Sequence, residues 1–182
     1  EYGEAHIAIR AGAKPEHPDY VVTSFGRIRF SLYAHERYVA LHGLPRGVKD
    51  LAGHMFVVPH GSSRRAPFAP WIAEHVTPEM VCLASREIGV LTEAIAAGVG
   101  MGFLSDEEAA HRGGFHAVLP SDADWSVPIW LVTHVDLHRT EKVRQILNCL
   151  KAERLSYASL PCNRVAATAG PDVCPPGARG SR

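Results

Sequence analysis

No apolar run in this sequence approaches the roughly 20 residues that a membrane-spanning helix needs, so a bilayer span is not expected. No charge of one sign prevails either. Lys plus Arg is 19 and Asp plus Glu is 19, for a net charge of zero. The basic footprint of a nucleic-acid-binding domain is therefore lacking. The short basic clusters, Arg64-Arg65 and Arg27 with Arg29, read as solvated surface. The four cysteines, Cys82, Cys149, Cys162 and Cys174, form no CxxC pair, and scattered cysteines of this kind suit a reducing cytosol. Cys82 and Cys149 read as small packing residues. Eleven histidines are present, yet there is no HExxH, no HxH and no GxSxG nucleophile elbow. GVGMG lacks the GxGxxG spacing and does not open a helix. The tightest histidine cluster, His134 and His138 around Asp136, spans an Asp-Leu pair that reads as a turn, so no metal is expected there. No cofactor and no enzymatic activity are expected. EYGEAHIAIR carries no signal-peptide pattern. It starts without Met almost on top of a strand, which suggests a fragment of a longer protein.

What is present is an ordinary globular composition, 46% hydrophobic and 21% charged, in a chain of 182 residues that suits one domain or two small lobes. Ala5 to Arg10 reads as a strand. Tyr20 to Phe25 and Ile28 to Tyr33 read as two more, separated by Gly26-Arg27. His35 to His42 is a short helix closed by Gly43 and Pro45, and Val48 to Leu51 is a helical turn. Met55 to Val58 is a buried-type strand running into the loop PHGSSRRAP. Phe68 to His75 suits a short helix and Met80 to Ala84 a strand. Ser85 then reads as the N-cap of a helix striped by Ile88, Leu91 and Ile95, with Gly98 just past its end. Val99 to Leu104 is a strand interrupted by Gly100 and Gly102. SDEE at 105–108 is a capping box with Ser105 as N-cap, Gly113-Gly114 ends that helix, and Phe115 to Leu119 is a strand. Val127 to Thr133 is β-branched and apolar. After a polar turn, Thr140 caps a last helix striped by Val143, Ile146, Leu147 and Leu150. The alternation from Met55 to Leu119 predicts a mostly parallel sheet with helices on its faces. After Glu153 the period stops, and the Pro-, Gly- and Ala-rich remainder reads as a disordered tail.

In open α/β sheets ligands bind beyond the carboxyl ends of strands, and three such ends carry suitable chemistry. Arg10 and Gly12 follow the first strand. His60, Ser62 and Ser63 follow Met55 to Val58. Ser85 and Arg86 follow Met80 to Ala84 and open a helix, where free N–H groups, a hydroxyl and a guanidinium meet. Gly102 and Phe103 end the next strand as a candidate cleft wall. A plainer reading stands beside each: Ser85 as a cap alone, Arg10 in a surface pair, HGSS as a turn.

Several segments, taken in order, resemble the effector-binding domain of LysR-type transcriptional regulators. EYGEAHIAIRAG looks like that family's G-E-A-D-I-A-I-R strand, with His6 where Asp is common. FGRIRFSLYAHERYVALHGLPRGVKDLAGHMFV looks like its crossover strand and the Y-L-A-x-H-G-x-P helix and D-L-x-x-H turn that follow. AIAAGVGMGFLSDEEA resembles V-x-A-G-L-G-I-A-L-L-P, with Ser105 at the usual Pro. VLPSDADWSVPIWLVTHVDLHRTEKVRQILNCL resembles the closing strand and helix, with His138 where Arg is frequent.

The resemblance covers residues 1 to about 152. It implies an α/β fold of the type 2 periplasmic-binding-protein kind, two lobes joined by crossover strands, with the first lobe incomplete at its N-terminus. On that reading residues 1–25 are a remnant of lobe I and 26–125 are lobe II with a crossover strand. Residues 126–153 are the return crossover and the lobe I helix, and 154–182 are the tail. It also implies a cytoplasmic, small-molecule-sensing domain, and the chemistry at Ser85 and Arg86 makes a small organic anion the expected effector. The parent regulator would be a homo-oligomer, dimer or tetramer, reaching DNA only through an N-terminal winged helix-turn-helix that these residues do not include. A solute-binding protein of the same fold is the alternative.

Overall fold

The computed structural model describes residues 6–60 and 66–158. Ser62 and Ser63, and all of the expected tail beyond residue 158, lie outside them. The first elements are β1 (Ala8–Ala11), β2 (Tyr20–His35), α1 (Glu36–His42), β3 (Phe56–Pro59), α2 (Ala69–His75) and β4 (Val81–Ser85). Then come α3 (Ile88–Ala96), β5 (Gly102–Ser105), α4 (Asp106–Arg112), β6 (Phe115–Leu119), β7 (Ser126–His134), α5 (Val135–His138) and α6 (Glu141–Ala158). No helix among the described residues is long and apolar enough to cross a membrane.

β2 organises the molecule. The sequence suggested two strands interrupted at Gly26-Arg27; they form one strand of 16 residues. Its pairing with β7 shifts register between Ser24 and Gly26, so Phe25 is extra on the β2 side. That is a β-bulge, which bends a strand without ending it. The first half of β2 pairs antiparallel with β7, which pairs in turn with β1. The second half pairs antiparallel with β5 and β6. β2 thus joins two groups of strands, β1 and β7 along one stretch and β5 and β6 along the other.

The expectation of a mostly parallel sheet is corrected. Among the described residues only β3 and β4 pair parallel as strands, extended by a parallel bridge between Phe56 and Met101. Strand–helix alternation is equally satisfied when strands return to one long central strand, and periodicity cannot tell the two apart.

Helices cover both faces of this second region. On one face Leu32, Tyr38, Leu51, Phe56, Val58, Met101 and Val118 form a core with Trp71 and Ile72 of α2 against it. On the other, Leu91, Ala94 and Ile95 of α3 pack on Val57 and Leu104. A separate core joins Leu131 of β7 to Val143 and Leu147 of α6, with Ile7, Phe25 and Leu150 at its rim. Ile146 is exposed, so the buried stripe of α6 is narrower than its apolar spacing suggested. α6 also continues to Ala158, past the point where the sequence pattern stops.

Candidate functional site

Two strand ends named above meet. β3 and β4 run parallel with Pro59 opposite Ser85, and the His60 N–H donates to the Ser85 carbonyl at 2.8 Å. The carboxyl ends of two adjacent strands are therefore level. Ser85 is not the N-cap of α3. Its Oγ accepts the Glu87 N–H at 3.1 Å, and Glu87 occupies the cap position without a side-chain cap bond. The reason is distance along the chain: Ser85 is still paired in β4, so the helix begins three residues later. A carboxylate near the first turn, with its free N–H groups, competes there with any incoming anion. Arg86 is exposed.

Beside these ends lies a cavity of about 770 Å³. Ala69, Pro70, Ile72, Ala73 and Val76 of α2 and its C-cap form one side, Val58, Pro59 and His60 another, and Pro78, Val81 and Ala84 the rest. Among the described residues, His60 is the one titratable residue in that lining.

The reason for the gap is legible in side-chain size. Alanines occupy positions 69, 73 and 84, where larger residues would fill the space. The other face of α2 is firmly held. Phe68, just before the helix, stacks on Phe103 at 4.3 Å between ring centroids and 4° between planes. Trp71 meets Phe103 edge-on at 5.5 Å and Trp125 at 5.7 Å, and stacks on His75 at 4.6 Å. Trp125 meets Phe103 at 4.9 Å. Such ring pairs add about 0.5–1.5 kcal/mol each beyond area burial. α2 is thus anchored by aromatics on one face and lines a cavity with the other.

The remaining candidates are dispersed. Gly102 is buried, and a Cβ there would lie 2.5 Å from Ile95 Cδ1 and 2.8 Å from the Val57 carbonyl oxygen. It is a packing position under α3. Phe103 is half-buried within the aromatic cluster. Arg10 is exposed on β1, opposite Trp130. The Gly12 carbonyl accepts the Trp130 indole N–H at 2.8 Å. The strand-end rule missed the alanines of α2 and the aromatic cluster. Its signal was present in the 69/73 spacing and in the paired Phe68 and Trp71.

The histidine cluster has structural duties. His134 caps α5 by accepting the Asp136 N–H. His138 Nδ1 shares a 2.9 Å hydrogen bond with the buried Thr133 hydroxyl. Among the described residues, no three His, Cys, Asp or Glu side chains gather in a way that could hold a metal ion.

The LysR substrate binding domain family matches residues 1–154. Comparison with curated proteins gives no match. Among solved structures, the regulatory domain of CrgA from Neisseria meningitidis aligns with a TM-score of 0.59 at 21% identity, over 81% of this chain and 74% of that one. The regulatory domain of AphB from Vibrio vulnificus aligns at 0.55 and 19%, over 81% and 74%. The effector domain of AmpR from Pseudomonas aeruginosa aligns at 0.56 and 15%, over 84% and 73%. The structural likeness establishes the type 2 periplasmic-binding-protein-like fold. With the family match over most of its length, the chain belongs to the LysR substrate-binding domain family, the effector-sensing part of LysR-type transcriptional regulators.

Proposed function

We propose that the effector is a small organic acid with an apolar body. The body occupies the cavity beneath α2 and the acid group lies toward the ends of β3 and β4. One observation carries the reading: an apolar cavity of about 770 Å³ ends at His60 and Ala84, beside the hydrogen-bonded pair of strand ends. Its volume suits a small-molecule ligand, for which pockets of about 300–1,000 Å³ are usual. The acid group is argued from what surrounds the strand ends. The Ser85 hydroxyl, having accepted the Glu87 N–H, still has its own proton to donate. Arg86, two residues after cavity-lining Ala84, offers a forked cation. Zero net charge means the attraction is local rather than a field of the whole molecule.

Binding alone suffices for the sensing role, and no bond-making step is required of it. An effector that favours one arrangement of the lobes over another shifts the population toward it. In the parent protein this shift would pass through a homo-oligomer to DNA-binding segments outside these residues, in the cytoplasm.

Calorimetric titration of the chain with aromatic and branched aliphatic carboxylates, beside their neutral amides, tests the reading. Acids are expected to bind and amides to bind much more weakly. Ala73→Phe, which fills the cavity from the solvent-exposed side of α2, should abolish binding without loss of stability. Arg86→Ala should weaken it by about 1.5–3 kcal/mol, the range for hydrogen bonds to charged groups. Unchanged affinity in Ala73→Phe would place the effector elsewhere.

A further inference from the structure

The sequence suggested that Arg27 and Arg29 are ordinary solvated surface, but the fold gives them a shared setting. Both lie on β2 two residues apart, so they leave the strand on the same face. Together with Ser121, Asp122, Ala123 and Ser126 they line a second cavity of about 360 Å³. This cavity shares no lining residue with the one beneath α2.

Its two sides are β2 and the loop leading into the start of β7. Arg27 and Arg29 belong to β2 just past the bulge, opposite Pro128 and Ser126 of β7. The facing loop is a defined turn: the Trp125 N–H donates to the Asp122 carbonyl at 3.1 Å, and the Phe30 N–H to the Trp125 carbonyl at 2.9 Å.

Arg27 is already positioned. Its Nε and Nη2 donate to Ser126 Oγ at 3.0 and 2.8 Å, and the Ser126 hydroxyl donates to the Ala123 carbonyl at 2.8 Å. Arg29 is exposed, and its side chain has no hydrogen bond or ion pair among the described residues. Asp122 lines the same cavity, but its Oδ1 faces the Asp124 N–H at 3.4 Å and neither arginine pairs with it. Two guanidinium groups thus stand in one concavity beside a single carboxylate, that of Asp122, with which neither pairs. A forked, weakly hydrated donor of this kind favours a planar or tetrahedral oxyanion.

We propose that this cavity is a second anion site, separate from the effector cavity, that takes a small multi-oxygen anion, a phosphate or a carboxylate. Arg29 supplies the free fork, Arg27 the fixed cation. An anion held there bridges β2 to the segment leading into β7, and so ties these two strands together.

The test titrates the full chain with inorganic phosphate and separately with succinate, each against sodium chloride at matched ionic strength. The readouts are the melting midpoint and the backbone amide resonances of residues 121–126. Either anion, but not chloride, should raise the midpoint and shift these resonances. Which of the two binds tighter identifies the source of the oxyanion. Arg29→Gln should weaken the response about tenfold or more, while Arg86→Ala, at the other site, should leave it unchanged. Arg29→Lys keeps the charge without the fork and should fall between. An equal response to chloride would mean charge screening only and would overturn the proposal. So would full retention of the response in Arg29→Gln, or resonance shifts confined to residues away from the 121–126 loop.

Discussion

Gly102 and His54 show how single positions carry this fold. The Cβ that any other residue would bring to position 102 meets the Val57 carbonyl, which is backbone and cannot swing aside, as well as Ile95. Gly102→Val should therefore cost about 1–3 kcal/mol through overpacking, read as a lower urea midpoint at unchanged slope. A variant as stable as the parent would show that α3 can move away from β5. His54 sits against fully buried Tyr38, whose Oη accepts the Met55 N–H at 2.9 Å and lies 3.0 Å from His54 Nδ1. With that acceptance made, the hydroxyl proton is free for an unprotonated Nδ1. Burial pushes the His54 pKa below its ordinary 6.5, His42 adds to this, and Asp50 opposes it. The native state thus binds fewer protons than the unfolded chain in the window between the two values. The stability that His54 contributes is complete above about 6.5 and is lost as pH falls through the lower native value. Unfolding free energy should fall more steeply from about pH 7 to about pH 5.5 in the parent than in His54→Asn. Parallel curves would remove His54 from the acid response.

At the scale of elements, local chemistry was legible and pairing was not. Ser105 accepts the Glu108 N–H at 3.2 Å, as the SDEE spacing indicated. The Glu108 side chain, however, turns to Arg112 at 2.6 Å, so only half of the capping box forms. Gly98 has φ of +80° just past α3. Its N–H bonds the Ile95 carbonyl, and the Val99 N–H bonds the Ala94 carbonyl, the paired bonds of a Schellman end. These features depend on a few neighbouring residues. The continuity of β2 depends instead on β7 partners 97 or more positions away, such as Ser126 and Trp130, and no local signal encodes them. Ser85 was misread as a cap for a related reason: Ser before a helix is a strong local signal, but pairing with Pro59 keeps it in the strand. The cavity beneath α2 was hidden because small residues signal space only once their neighbours in the fold are known. The account of α6 makes its own prediction. Leu147 is buried against Leu131 and Val143, so Leu147→Ala should cost about 2–4 kcal/mol in urea denaturation. The exposed Ile146→Ala should cost far less, and equal costs would mean that α6 packs with a different face.

For the whole molecule, the family resemblance supplied what residue patterns lacked. Residue patterns gave alternation and a mostly parallel sheet, whereas the ordered motifs implied the type 2 periplasmic-binding-protein-like fold that the family match and the solved structures support. The proposed effector site of this sensing domain is formed by α2 and the ends of β3 and β4. Amide hydrogen exchange, with and without the tightest-binding carboxylate from the titration panel, tests it most directly. The account predicts slowed exchange in α2, at residues 58–60 and at 84–87, with smaller changes along β2 and β7. Protection confined to β1 and α6, with α2 unchanged, would contradict it.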